Sequence, residues 1–246
     1  MTTKIKAVVL AAGQGTRLRT GETDAPKVMR LACGKPLLRY VLDSLSFISP
    51  KDIIVIVGYK KAEVINNFSG YTFAVQNEQL GTGHAVMAAG HELAEFDGSV
   101  LVCYGDMPAV KRGTYEALVR AHMESGDDCT ILTGESAIDL PYGRVVRGPD
   151  GGFCAIVEDR DCTPEQKNIK ELNSGVYVFR APLLLDALRR VNRNNSQGEY
   201  YLTDAPEIIL ADGGKVGILR RDLGDEILGV NTPEQLAQIE EILRSR

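Results

Sequence analysis

Tryptophan is absent from the chain, and that absence carries no functional message. Other absences exclude more. The five cysteines are odd in number, scattered, and contain no CxxC pair. This excludes a disulfide framework and a cysteine zinc site; they read as reduced thiols of a cytoplasmic protein. No run of five Lys or Arg occurs, and 28 basic residues face 33 acidic ones for a net charge of −5. Nucleic-acid binding is disfavoured on that count, and any anion-binding cations must be local. No apolar run approaches the ~20 residues of a membrane helix, and no basic amphipathic helix suits a membrane surface. No charged-then-apolar signal region precedes the first strand. Neither an internal repeat nor a low-complexity linker divides the sequence.

What is present suits one large α/β domain: 246 residues, 44% of them hydrophobic. Apolar runs at 7–11, 53–57, 73–75, 100–104 and 129–133 read as buried parallel strands. Helical patterns at 36–46, 60–67, 83–94 and 112–124 alternate with them, the first with Pro36 in its opening turn. This predicts a Rossmann-like open sheet, mixed but mostly parallel, covered by helices on both faces. From 139 the texture changes. Glycine- and proline-rich turns bracket alternating segments at 144–147 and 153–157, a β-ribbon forming one wall of a cleft. A charged stretch at 158–170 reads as a solvated loop or short helix. A strand at 175–179, a helix at 182–190 and a helix start at Thr203-Asp204 follow. Thr232, Pro233 and Gln235 mark the start of a final helix with a capping box. The organisation expected is a nucleotide-binding half (about 1–138), a sugar-binding half (about 139–230) and a C-terminal helix (about 232–246) in one domain.

The first strand ends in Leu10-Ala11-Ala12-Gly13-Gln14-Gly15-Thr16-Arg17. Gly13 and Gly15 have no side chain to block a phosphate from the backbone amides. Arg17 and Lys27 add two cations to the same mouth, which together ask for a nucleoside triphosphate. Leu18 stands where a Rossmann fingerprint needs its third glycine. Gly34-Lys35 is followed by Pro36, which excludes a Walker A loop. Ligands of open α/β sheets bind beyond the carboxyl ends of the strands. Gly13, Gln76 and Asp106 all follow expected strand ends, so they share one rim. Asp106 directs a carboxylate into that cleft, where magnesium with phosphates and water would accept it; read alone, Gly105-Asp106 also makes a simple turn.

Further segments carry a resemblance. LAAGQGTR (10–17) and PKV (26–28) are followed by QNEQLGTGHA (76–85), YGDMP (104–108) and YGRV (142–145). IVED (156–159) leads to ELNSG (171–175), and NNSQGEYYLTD (194–204) comes last. Together these resemble sugar-1-phosphate nucleotidylyltransferases. In order and spacing they are similar to the uridylyltransferase domain of bacterial N-acetylglucosamine-1-phosphate uridylyltransferases, from about Lys4 to the last helix. That domain is usually fused to a glucosamine-1-phosphate acetyltransferase. The sequence holds no hexapeptide repeat of a left-handed β-helix, so neither acetyltransferase activity nor the part through which the family is expected to trimerise is expected in it. The loop 19–25 is a few residues longer than the family form.

The resemblance implies transfer of a uridylyl group from UTP to N-acetylglucosamine 1-phosphate, giving a nucleotide sugar for peptidoglycan synthesis. It implies Arg17 and Lys27 as catalytic cations and Asp106 with Asn231 as ligands of Mg2+. It places the base against Gln76, Gly81 and Thr82 and the backbone of Leu10, Ala11, Ala12 and Gly13. It assigns the sugar to Tyr104, Gly105, Gly143, Glu158 and Asn173. Read alone, Gln76 is a polar loop residue, Glu158 part of a solvated charged run, and Asn231 a loop residue before a cap. His84 reads as a capping or core histidine. The alternatives are glucose 1-phosphate or another nucleotide in the same chemistry, and a non-catalytic nucleotide-sugar sensor on the same fold. Oligomeric state is left open.

Overall fold

The computed structural model describes residues 4–18, 25–135 and 140–246. The boundary expected near 138–139 and nearly all of the longer loop at 19–25 lie outside these residues.

The chain begins with β1 (Ile5–Leu10) and a two-residue ribbon, β2 (Leu31–Ala32) and β3 (Lys35–Pro36). Next come α1 (Leu37–Ser44), β4 (Ile53–Val57), α2 (Lys61–Asn67) and β5 (Thr72–Val75). Two short helices, α3 (Thr82–Met87) and α4 (Gly90–Leu93), lead to β6 (Ser99–Tyr104), α5 (Arg112–Ser125) and β7 (Cys129–Glu135). The ribbon β8 (Arg144–Arg147) and β9 (Phe153–Val157) precedes α6 (Pro164–Lys167) and β10 (Glu171–Arg180). The remainder is α7 (Ala181–Arg190), α8 (Asp204–Ala211), β11 (Val216–Arg221) and α9 (Pro233–Arg244).

The main sheet runs β11-β7-β10-β6-β1-β4-β5, with β8 and β9 attached at the start of β10. Pairs β1–β6, β1–β4, β4–β5 and β7–β11 are parallel; β10 is antiparallel to both β6 and β7. Period-two alternation distributes each central strand between two cores. Ala7, Val9, Val55 and Leu101 pack with α1, α2, α5 and α9 on one face. Val8, Leu10, Ile56 and Val102 pack with α3, α4, α7 and α8 on the other. Burial on both faces is why these strands read as continuous apolar runs.

Four local expectations are corrected. The helix at 83–94 is two helices, broken just before Gly90, a residue of poor helix propensity. Pro36 precedes α1 at its N-cap with an extended ψ of 142°. The strand at 129–133 is not flanked by parallel neighbours only, because β10 inserts antiparallel beside it. β11, at the sheet edge, was not anticipated; its residues are half-buried or exposed, so the apolar signal is weak. The capping boxes of α9 (Thr232 with Gln235) and α6 (Thr163 with Gln166) are both formed. Among the described residues no helix is long and apolar enough to cross a membrane, and all five cysteines are free.

Candidate active site

Two cavities open along the carboxyl ends of β1, β5 and β6. The smaller, about 260 Å³, is lined by Leu10, Ala12, Gly13, Gln76, Gly81 and Thr82. The larger, about 520 Å³, carries Arg17, Gly143, Glu158, Asn173 and Asn231. Lys27, Tyr104 and Asp106 line both. Apart from Ala11, Gly105 and the shared Tyr104, the expected nucleotide residues and the expected sugar residues line separate chambers that meet at three side chains. Arg17 lies in the larger chamber, on the side of Asn231.

At the meeting point the Lys27 ammonium forms an ion pair with the Asp106 carboxylate. It also donates to Asn231 Oδ1 at 2.7 Å, and Arg17 reaches the same oxygen at 3.5 Å. Local structure sets each position. Gly15, at φ +65°, lets the turn lie on the Lys27 stem, where an added Cβ would come 2.7 Å from Lys27 Cβ. The Val230 amide donates to the Asp106 carbonyl at 3.0 Å, which draws the last loop to the end of β6. Gln235 closes the α9 capping box and also accepts from the Asn231 amide at 2.7 Å. Asp106 and Asn231 therefore converge on one cationic position from the end of β6 and the loop before α9. Among the described residues no cluster of three or more His, Cys, Asp or Glu could hold a metal. A carboxylate and an amide oxygen on one cationic point do fit a hard divalent ion that takes its remaining ligands from phosphate and water.

Ala11 and Gly105 line neither cavity. The Ala11 amide donates to Ile56 O at 2.9 Å and the Gly105 amide to Leu10 O at 2.9 Å. A Cβ on Gly105 would sit 3.2 Å from Leu10 O, Val28 and Leu38. Both form the buried floor under the turn.

In the smaller chamber Gln76 is 4% exposed, and its Nε2 donates to Gly81 O at 3.1 Å. Gly81 has φ +113°, and any Cβ there would strike Tyr200 O at 2.5 Å. Tyr200 returns the contact: its amide donates to Leu80 O and its carbonyl accepts from Gly83 N, each at 2.8 Å. The segment 198–204 therefore braces the smaller chamber. At the larger one, Thr203 donates to Glu158 Oε1 at 3.0 Å.

The larger chamber owes its shape to a bulge in β10, where the register shifts between Asn173 and Val176. Gly175, at φ +76°, leaves room for the Tyr104 ring; a Cβ there would lie 2.2 Å from it. Asn173 Oδ1 accepts from the Gly175 amide at 3.1 Å, and the Asn173 amide donates to Gly143 O at 2.9 Å. Arg144, 2% exposed, donates to the carbonyls of Leu140 and Tyr142 and so fixes the loop that holds Gly143. Glu158 is not the solvated side chain of its charged run. Burial pushes its carboxyl above the usual range, and Asp204, Asp161 and Asp159 add to this against the opposing Thr203 bond. Asp204, behind it, is raised to about 6, first by burial and then by Glu207 and Asp161. Burial also keeps the Tyr104 phenol protonated.

Several lining residues were not singled out as site residues: Met107, Tyr142, Ser174, Gly175 and Gln197 in the larger chamber and Gln79 in the smaller. Tyr142, Ser174 and Gly175 stood inside quoted motifs, beside nominated positions. Met107 likewise stood inside a quoted motif, YGDMP (104–108), next to Asp106.

A glycine turn at a strand end, local cations and a divided cleft on a mixed α/β sheet define a nucleotide-binding transferase fold. The chain belongs to the MobA-like NTP transferase domain family, which matches residues 7–205. It is a nucleotidyltransferase. Among curated relatives, "Bifunctional protein GlmU" of Clostridium beijerinckii is 44% identical over 243 residues, 98% of this chain and 52% of the relative. The protein of the same name from Alkaliphilus metalliredigens is 42% identical over 244 residues, 99% of this chain and 53% of the relative. The chain thus spans about half the length of these relatives. Among solved structures, a putative glucose-1-phosphate thymidylyltransferase from Bacillus anthracis superposes with TM-score 0.76 at 16% identity, covering 99% of this chain and 96% of that one. HddC from Yersinia pseudotuberculosis, complexed with GMP-PN, gives 0.66 at 22% identity, covering 97% and 99%. These last two establish the fold.

The geometry predicts that Gly175→Ala costs about 2–3 kcal/mol in urea unfolding, through left-handed strain plus the clash with Tyr104. Gly213→Ala, also at positive φ but with nothing within 4 Å of its Cβ, should cost only about 1–2 kcal/mol. Equal losses would contradict a role for Gly175 in seating Tyr104.

Proposed function

We propose that the chain transfers a uridylyl group from UTP to N-acetylglucosamine 1-phosphate, with magnesium, giving UDP-N-acetylglucosamine and pyrophosphate. The supporting observation is the sharing of Lys27, Tyr104 and Asp106 by the two chambers. A nucleotide in one and a sugar phosphate in the other would meet at that boundary.

In the reaction an oxygen of the sugar phosphate attacks the α-phosphorus of UTP. The new P–O bond forms as the bond to the β-phosphate oxygen breaks, and pyrophosphate leaves in line. The work left to the protein is positioning and charge neutralisation. Gln76, Gly81, Thr82 and the turn backbone hold the base. Gly143, Glu158 and Asn173 hold the sugar: glycine permits close approach, and a carboxylate and an amide suit hydroxyls and the N-acetyl group. Arg17 and Lys27 face the phosphates. Asp106 and Asn231 are the hard oxygen donors for magnesium, which when bound would supply charge neutralisation across the phosphate oxygens. Lys27 now spans those two oxygens, so its ammonium must leave them for a divalent ion to be held there. The triphosphate oxygens are its next partners.

Pyrophosphate release tests this with UTP, magnesium and either N-acetylglucosamine 1-phosphate or glucose 1-phosphate. The expected preference for the N-acetyl sugar is at least about tenfold, or ~1.4 kcal/mol at the transition state. A preference for glucose 1-phosphate would overturn the sugar assignment, and UTP binding without release would favour a sensor. Asp106→Ala should abolish release while the chain still unfolds in one cooperative transition, shifted to lower urea because Lys27 loses its partner.

A pH dependence follows from Glu158. Its carboxyl is raised by burial, so it takes up a proton at a higher pH than an ordinary glutamate. As pH falls through that range it stops accepting from sugar hydroxyls with both oxygens. KM for the sugar phosphate should rise there while KM for UTP changes less. Glu158→Gln should have a high and flatter sugar KM profile; an unchanged profile would remove Glu158 from the sugar site. Asp204, raised to about 6, titrates nearby and is retained in this variant, so it serves as the internal control.

A further inference from the structure

We propose that His84 is a positioning residue that locks the Gln76 amide so that only its oxygen faces the base, and thereby selects uracil over cytosine. This rests on the uridylyl-transfer reading and extends it to how the nucleotide is chosen.

Gln76 Nε2 lies 3.1 Å from Gly81 O and 3.1 Å from His84 Nδ1. A carbonyl oxygen only accepts, so the atom beside Gly81 O must be the amide nitrogen. That fixes the side chain's orientation. It also fixes the histidine: Nδ1 accepts the second N–H of Gln76, and the imidazole proton is on Nε2. Both donors of the amide are then consumed within the protein. Among the described residues no donor reaches Gln76 Oε1, which is left as the acceptor available in a chamber lined by Ala12, Gly13 and Gly81.

Uracil presents N3–H, a donor, between two carbonyl acceptors. Cytosine presents N3 as an acceptor beside an amino group. An amide that offers only oxygen complements uracil and sets lone pair against lone pair at cytosine N3. Turning the amide over would lose the bond to Gly81 O, place an oxygen 3.1 Å from that carbonyl oxygen and require the Nδ1–H tautomer of His84. With His84 removed, one of the two anchors is lost and the amide plane is no longer held.

The imidazole is itself braced. The Tyr200 ring stacks on it at a centroid distance of 6.1 Å and 26° between planes. The Arg193 guanidinium lies 5.7 Å from the centroid on Tyr200. Tyr200 is the residue whose backbone clamps Leu80 and Gly83. The segment 198–204 thus aligns His84, His84 aligns Gln76, and Gln76 meets the base.

The test is equilibrium binding of UTP, CTP and pyrophosphate by calorimetry to the full chain, with UTP turnover measured in parallel. Wild type should bind UTP at least about tenfold tighter than CTP. His84→Ala should narrow that ratio at least fivefold and leave pyrophosphate binding within twofold. His84→Asn, whose amide oxygen can stand in for Nδ1, should restore most of the ratio. Three results would overturn the proposal: no UTP preference in wild type, an unchanged ratio in His84→Ala, or a parallel loss of all three ligands, which a merely structural histidine would give. If His84→Ala does not fold, failure of His84→Asn to keep the preference decides against it. Turnover failing while the base ratio behaves as expected would count against the uridylyl-transfer reading alone.

Discussion

The ammonium of Lys27 joins three segments that the chain keeps far apart. It bridges Asp106, just beyond the central strand β6, and Asn231, just before α9, from a 3-10 turn near the N-terminus. Lys27 and Asp106 are each only about 15% exposed. A lysine and a carboxylate so placed are costly unless paired. The surrounding structure is arranged to keep them paired: Gly15 supports the lysine stem, Val230 is bonded to Asp106, and the α9 capping box holds Asn231. Lys27 and Asp106, with Tyr104, also mark the boundary between the chambers, so this ion pair lies where the two proposed substrates would meet.

Close backbone approach is the second constraint. Gly81 and Gly175 both adopt backbone conformations that L side chains rarely occupy, and at both an added methyl would overlap a neighbour. One seats the Tyr200 segment against the smaller chamber; the other seats Tyr104 against the β10 bulge. The chambers are therefore shaped by backbone geometry more than by bulky lining residues. That leaves the polar groups of Gln76, Asn173 and Glu158 oriented by bonds to other parts of the protein before any ligand arrives.

Much of this was legible in the sequence because it rests on period and punctuation. The runs at 7–11, 53–57 and 100–104 are apolar throughout because both faces of the strands are covered, and the glycine turn after β1 follows directly. Gly13, Gln76 and Asp106 could be placed on one rim from strand ends alone. The α9 cap could be read residue by residue. Other features depend on pairings that no local pattern encodes. β10 returns antiparallel between β6 and β7, and β11 is a half-exposed edge with little apolar signal. Glu158 reads as part of a solvated run because its burial comes from Thr203 and the wall behind it. Asn231 carries no signal of its own beyond resemblance, since its partner Lys27 is 204 residues away. His84 reads as a core or capping histidine because its role lies in which nitrogen faces Gln76.

In the proposed reaction Lys27, which pairs with Asp106 and Asn231, must leave those oxygens for a divalent ion to be held there. Water-proton relaxation with Mn2+, which shares magnesium's preference for carboxylate and carbonyl oxygen, measures this because Mn2+ held on the slowly tumbling protein relaxes water more efficiently than free or UTP-bound Mn2+. The expected result is weak Mn2+ binding to the free chain, binding at least about tenfold tighter with UTP present, and loss of that enhancement in Asp106→Ala. Mn2+ binding as tightly without UTP, or a UTP-dependent enhancement that survives Asp106→Ala, would contradict it.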